Sequence, residues 1–441
     1  MATKTSRRRK RTFKCKSKPR NKTLSRSHPA RSPRSQCTVT GNLLERLPLE
    51  VVEMVLDKLS VVEISVFSMV SKETTRYIMD YISTIAWKKK VLGSFHPPSC
   101  LGEESTIEHY RDLGLLFKRC TLLLPTKQRL NFVFSKFSKI PCFMINQCLA
   151  ESCCGFATFG VFLQTLIAGW DEMECHRVFS FLCDHTNLPQ RVEAVITGKP
   201  GMKWYLELQV RLFCRQVLLD PWPNEQERQF WLTLLLKPWP MVCQAHLLFI
   251  LYGPLLSDGT VGWLDVVERG VPCNALWDLS RAILLLVGKI DVNDQANHSM
   301  LAILEELIVI PHPWHLENVA RLMVLCGSNF CCTVICNRAI NSRLPEISRL
   351  MMYIILVCEK DGFHMSWAVK LVEQACTLFN TGPEKYHFIQ ELENMFSVVI
   401  REIFGLSVAD QFEDRETFQN LCVVLSSIAN FHTRFLHMHL Q

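Results

Sequence analysis

Between Cys142 and His176 the chain concentrates side chains that hold soft metals or attack carbonyls: Cys142, Cys148, Cys153, Cys154, Cys175 and His176. Thiolates with an imidazole suit zinc, but structural zinc sites usually contain close ligand pairs. No Cys-x-x-Cys occurs among the 20 cysteines, so no metal is expected. The neighbours Cys175 and His176 raise a second chemistry, a thiol that carries an acyl group as a thioester. That needs an activating, accessible setting, and adjacent residues on a helix do not face each other. The string "GWDEMECHR" (169–177) puts three acids before this thiol, and they would hold it protonated. It reads better as a solvated face or a helix start. Cys331, Cys332 and Cys336 in "NFCCTVIC" have helical spacing and read as small buried side chains. His432, His437 and His439 show no site spacing and read as surface residues.

Nucleotide and hydrolase chemistry fare no better. "GFATFG" (155–160) lacks the Lys-Ser/Thr ending of a phosphate loop. Neither His-Glu-x-x-His nor Gly-x-Ser-x-Gly occurs. The expectation is no catalytic residue, no cofactor and no metal, which leaves binding as the function to look for.

Charge divides the chain in two. The net charge is +7 over 441 residues, yet residues 1–36 hold 14 Lys or Arg and no acid. Beyond them 35 basic residues face 42 acidic ones. A basic tail therefore precedes a mildly acidic body, and any nucleic-acid contact is expected to be weak and confined to the tail. Dense like charge with Pro and Ser predicts disorder over 1–42. The run Arg7, Arg8, Arg9, Lys10 and Arg11 has the character of a nuclear-import signal. The polar start carries no apolar leader, so the cysteines are read as reduced thiols of an intracellular protein. The longest apolar runs, "LMMYIILVC" (350–358) and "AILLLVG" (282–288), are too short to span a membrane.

The elements behind the tail read as helices. In "LPLEVVEMVLDKLSVVEISVFSMVSK" (47–72), Pro48 suits a first helical position and Glu50 the first turn. Val51, Val52, Val55, Leu56 and Leu59 form a wide apolar stripe. Ser60-Val-Val-Glu63 is a capping box that opens a second helix, with Ile64, Phe67 and Val70 expected inward. A third helix is expected after Ser71-Lys72, with Ile78, Ile82 and Ile85 on one face and Trp87 closing it. Such a unit is too small to bury a core alone, so some apolar residues must meet another surface.

The spacing Leu47-Pro48-x-Glu50, Val55-Leu56, Leu59, Glu63-Ile64 and Val70-Ser71-Lys72 resembles the F-box motif over residues 44–88. It departs where Thr74 replaces a frequent Trp and where Trp87 falls a few residues late. The resemblance implies a three-helix unit over 43–90 that docks on the Skp adaptor, and through it on cullin and RING subunits of a ubiquitin ligase. The implied contacts are Leu47, Pro48, Glu50, Val51, Val55, Leu56, Leu59, Ile64, Phe67 and Val70. The strings "EHYRDLGLLFKRCTLLLPTK" (108–127), "FLQTLIAGWDEMECHRVFSFLC" (162–183) and "FWLTLLLKPWPMVCQAHLL" (230–248) are similar to one vertebrate branch of that family. Its members are associated with germ cells and meiotic chromosome events, which implies a nuclear, meiotic role.

A Pro/Gly/Ser-containing linker is expected over 91–107, then a helical body over 108–441 that binds a protein target. "PWPMVCQAHLLFILYG" (238–253) aligns without gaps to "PWHLENVARLMVLCGS" (313–328), and "LWDLSRAILLLVGK" (276–289) follows a looser version. Trp239, Trp277 and Trp314 mark a period near that of a helix-pair repeat. The whole is expected to be all-α: an F-box followed by a HEAT- or armadillo-like solenoid. The first function this supports is a non-catalytic substrate adaptor. The alternative is a nuclear scaffold that stabilises a complex; loss of the protein would lower a stabilised partner but raise a substrate.

Overall fold

The computed structural model describes residues 47–92, 103–137, 153–287, 295–341, 343–379, 381–409 and 415–440. Its described regular structure is helical, with one isolated antiparallel bridge between Leu255 and Val261. None of the described helices is long and apolar enough to cross a membrane. By its contacts the chain divides after Val52 into residues 1–52 and 53–441.

Only residues 47–52 of the first unit are described. The Pro48 carbonyl accepts the amides of Val51 and Val52 and starts helix α1 (Leu49–Lys58), which runs on into the second unit. Val52 is buried, while Leu47, Pro48, Leu49 and Glu50 are exposed.

The second unit continues with α2 (Val61–Phe67), α3 (Lys72–Tyr81) and α4 (Ile85–Leu92). The capping box is present: Ser60 Oγ accepts the Glu63 amide, and Glu63 Oε2 accepts the Ser60 amide at 2.7 Å. Ser71 caps α3 by its hydroxyl, accepting the Thr74 amide at 3.0 Å. The expected third helix is two. Thr84 Oγ1 accepts the Trp87 amide at 3.2 Å, starting α4 as a separate element. Ile78 and Ile82 therefore stay in the core while Ile85 is 74% exposed. Val70 also departs from expectation: α2 stops at Phe67, and Val70 lies outward in the turn beyond it. Asp57 fastens the C-terminal end of α1, accepting from Tyr81 Oη by its carboxylate and from Lys90 Nζ by its carbonyl.

The last part of the expected linker is already helix. Helices α5 (Glu103–Cys120), α6 (Thr126–Phe137), α7 (Gly155–Ile167), α8 (Glu172–Thr186) and α9 (Leu188–Ile196) follow. α2 and α3 pack on α5, and α5 packs on α7. Gly114 and Gly160 set how closely α7 is approached. A Cβ on Gly114 would lie 2.8 Å from the Phe162 carbonyl oxygen, and one on Gly160 would lie 2.0 Å from that of Gln216. Phe117, Phe137 and Phe162 fill the space between, with centroids 4.7–6.0 Å apart.

The remaining helices are α10 (Trp204–Phe213), which passes into a π-helical turn (Cys214–Leu219), α11 (Glu225–Leu236), α12 (Met241–Tyr252), the single turn α13 (Asp265–Glu268), α14 (Trp277–Val287) and α15 (Gln295–Leu307). Then come α16 (Leu316–Cys326), α17 (Ser328–Ile340), α18 (Leu344–Lys360), α19 (Met365–Thr377), α20 (Gly382–Ala409) and α21 (Arg415–Leu440). α12, α14, α16, α18 and α20 form one row in which each packs on the next. This is the repeat pattern expected of stacked helix pairs. Every residue of α12 from Ala245 to Tyr252 is buried, His246 among otherwise apolar side chains, as a helix apolar on all sides requires. The aligned Pro-Trp turns do lead into α12 and α16, but their tryptophans are not equivalent. Trp314 is buried with its Nε1 donating to Ile310, Trp239 is half-buried, and Trp277 lies exposed at the start of α14.

Buried polar groups tie the row to its loops. The Arg321 guanidinium on α16 reaches Asp361 at 2.7 Å and Glu317 at 2.5 Å. Asn318 holds the 266–271 segment through the Val266 and Arg269 carbonyls and the Val271 amide. Glu207 accepts from the Gly201 amide and from Trp263 Nε1, both at 2.9 Å. Each satisfies groups that would be costly to bury unpaired.

Candidate functional site

The two chemical candidates separate on inspection. Burial pushes the Cys175 thiol up to about 11, helped by Asp171, Glu227, Glu172 and Glu174. A thiol so protonated near neutral pH is a weak nucleophile. His176 packs its ring on Phe230, with centroids 5.4 Å apart, while the Cys175 thiol is directed at the Trp170 carbonyl. The adjacent pair thus makes no dyad. Cys331 is buried, with Cys332 and Cys336 half-buried beside it on α17. Among the described residues no cluster of His, Cys, Asp and Glu could hold a metal ion. One cysteine corrects the reading of all thiols as reduced: Cys153 is disulfide-bonded, whereas the other described cysteines are free. A disulfide depends on the proximity of two sulfurs in space, which the spacing of the cysteines did not reveal. Cys142 and Cys148 lie outside the described residues. Of the C-terminal histidines, His437 is exposed; His432 is half-buried and its Nε2 meets Glu393 at 2.7 Å.

The surface offered by α1 to α3 is of another kind. Val55 is 44% exposed, Met69 and Val70 are each 66% exposed, and Met54, Val62 and Val66 are exposed as well. These apolar side chains lie uncovered within 17 residues. Isolated exposed apolar residues are ordinary, but a concentration of them marks a docking surface. The ten residues singled out from the sequence divide by exposure. Leu47, Pro48, Glu50, Val55 and Val70 are exposed, and Val51, Leu59 and Phe67 are half-buried. Leu56 and Ile64 are only 1% and 2% exposed, so they shape the unit from inside and offer little surface to a partner. Met54, Val62, Val66 and Met69 were not singled out; their exposure follows from which helix faces α3 and α5 leave free.

The two departures in the motif are also explained. Thr74 is fully buried, its hydroxyl 2.9 Å from that of Ser71 at the head of α3. Trp87 is buried, its ring 6.3 Å from that of Phe117 on α5. It seals the unit against the next helix, so its late position serves an internal contact. The basic run Arg7, Arg8, Arg9, Lys10 and Arg11 lies outside the described residues.

The body offers a second surface. A cavity of about 670 Å3 opens between the 199–202 turn, the 256–265 segment and Pro311-His312. The buried Trp263 and the exposed side chains of Met202, Leu256 and Leu264 line it. The Glu207 carboxylate, bonded to Gly201 and Trp263, ties two of its walls together.

A short helical unit with an uncovered apolar surface, joined to stacked helix pairs, defines an F-box protein with a helical-repeat body. Comparison with known proteins agrees. An F-box domain family model matches residues 44–83, and one described as FBXO47, ARM repeats matches residues 184–438. F-box only protein 47 of Homo sapiens is 43% identical over 405 residues, covering 90% of this chain and 89% of the relative. Its counterpart from Mus musculus is 43% identical over 399 residues, covering 89% and 88%. No solved structure matches. The chain belongs to the F-box only protein 47 family.

Proposed function

We propose that the chain is the substrate-recognition adaptor of a Skp–cullin–F-box ubiquitin ligase. The observation that carries this reading is the uncovered apolar surface of the F-box: Val55, Val62, Val66, Met69 and Val70 face outward while Leu56 and Ile64 are buried. Such a surface suits the Skp adaptor, and cullin and RING subunits would follow through it. The helical-repeat body then holds a protein target, for which the cavity beneath Met202 and Leu264 is one available surface. A target held there would have its lysines raised in effective concentration near the charged conjugating enzyme. In this scheme the chain positions its target and takes no part in the transfer chemistry. Import into the nucleus through Arg7–Arg11 and a role in meiosis belong to the same proposal; the basic run supports the first and the family likeness of the sequence the second.

The test is co-purification of the full chain with the Skp adaptor and cullin, beside a Leu47→Ala/Pro48→Ala variant. Wild type should capture both, and the double variant should lose them, because truncating central interface anchors typically costs about 2 kcal/mol or more each. A folded wild-type chain that captures neither would refute the ligase reading.

A further inference from the structure

The F-box region and the first helix of the body end at one place. Arg119 Nη1 donates to Ser65 Oγ at 2.8 Å, and α2 packs along α5. The C-terminal ends of α5 and α2 therefore coincide. From that shared end leave two turns, and both are apolar. The turn after α2 carries Met69 and Val70. The turn after α5 carries Leu122 and Leu123, which are 65% and 70% exposed.

The second turn is built to hold its leucines outward. Thr121 is buried, and its hydroxyl donates to the Phe117 carbonyl. The Leu124 amide closes the turn on the Thr121 carbonyl at 3.0 Å. The buried Arg129 guanidinium, stacked on Trp170, donates to the Thr121 and Leu122 carbonyls, both at 3.0 Å. These bonds fix the backbone before any partner arrives, which lowers the entropic cost of binding. Two adjacent exposed leucines on a fixed turn, at the end of the helix that packs on α2, have the character of a docking contact.

We infer that Leu122 and Leu123 extend the docking surface of the F-box into the body, and that their occupant is the Skp adaptor itself. Position decides the occupant: Leu122 and Leu123 follow the end of α5 that Arg119 joins to Ser65 of α2, and Val62, Val66, Met69 and Val70 belong to α2 and its turn. The inference rests on the adaptor reading proposed above. It gives the body a share in adaptor binding that the F-box motif alone does not contain.

The experiment is equilibrium binding of purified Skp adaptor to the full chain, with a thermal midpoint recorded for every variant. Leu122→Asp/Leu123→Asp should weaken binding about tenfold or more, while Leu122→Met/Leu123→Met keeps it. Ile340→Asp, at an exposed site on α17, should change nothing. If the aspartates leave affinity unchanged while Val55→Asp loses it, the turn lies outside the interface and only this inference falls. If wild type fails to bind, the adaptor reading falls and takes the inference with it. Should the aspartates lower the midpoint, serines at both positions carry the test with the same outcomes.

Discussion

His246 is held neutral by its surroundings. Burial lowers its pKa below the ordinary 6.5, against the opposing effect of its bond to the Ile196 carbonyl. That carbonyl only accepts, so Nδ1 is the donor, at 3.1 Å. Nε2 is buried without a partner among the described residues, and the ring meets Trp263 edge-on. Burial lowers His315 in the same direction, with Glu317 opposing and Lys360 and Arg321 assisting. A histidine depressed in the fold takes its proton more readily when unfolded. Its contribution is therefore complete above the unfolded value of about 6.5 and is lost as pH falls below it through the folded value. Thermal melts should show a lower midpoint at about pH 5.5 than at about pH 7.5. His246→Leu should flatten that slope; an unchanged slope would remove His246 as a cause. Cys175 shows how far a residue-level reading reaches. The acids near it were visible in sequence, but burial, the larger cause of its raised pKa, was not.

Helix starts were legible because their signals are local. Ser60 and Glu63 satisfy each other's amides across three residues, and the structure places both bonds where the pattern requires them. The end of α3 was harder to read. Ile78, Ile82 and Ile85 keep one helical face through Thr84, yet Thr84 starts a new helix and turns Ile85 outward. Close approach between elements leaves no spacing signal at all. "GFATFG" has no phosphate-loop ending, and its second glycine serves packing: Gly160 of α7 lies against the π-helical turn near Gln216 and Pro221. Gly160→Ala should destabilise the protein by about 3 kcal/mol through overpacking against backbone. Urea denaturation checks this through a lowered midpoint with an unchanged slope. Retention of the wild-type midpoint would mean that α7 can move aside freely.

For the molecule as a whole, the main difference lies at the expected linker. A linker was expected over 91–107, behind an F-box too small to bury a core alone. Instead α2 and α3 pack on α5, and Trp87 meets Phe117. Lys136 Nζ of α6 also reaches Ser83 Oγ at 2.8 Å. A fragment covering 43–92 should therefore lack a cooperative melt in circular dichroism, because too little of its core remains. A sharp transition from that fragment alone would show that α5 is dispensable to it.

Class and architecture could be read without coordinates. Helical periodicity, a capping box and a recurring Pro-Trp turn are short-range patterns, and the F-box spacing lies within one such stretch. The tertiary structure decided which apolar residues are available to a partner. Val55 and Leu56 are neighbours of similar character, yet one is 44% exposed and the other 1%. Nothing in the sequence singled out Leu122 and Leu123; Arg129 fixes their turn, and Arg119 with Ser65 joins the end of α5 to α2. Exposure depends on which helices cover a face, and those contacts join residues about fifty positions apart.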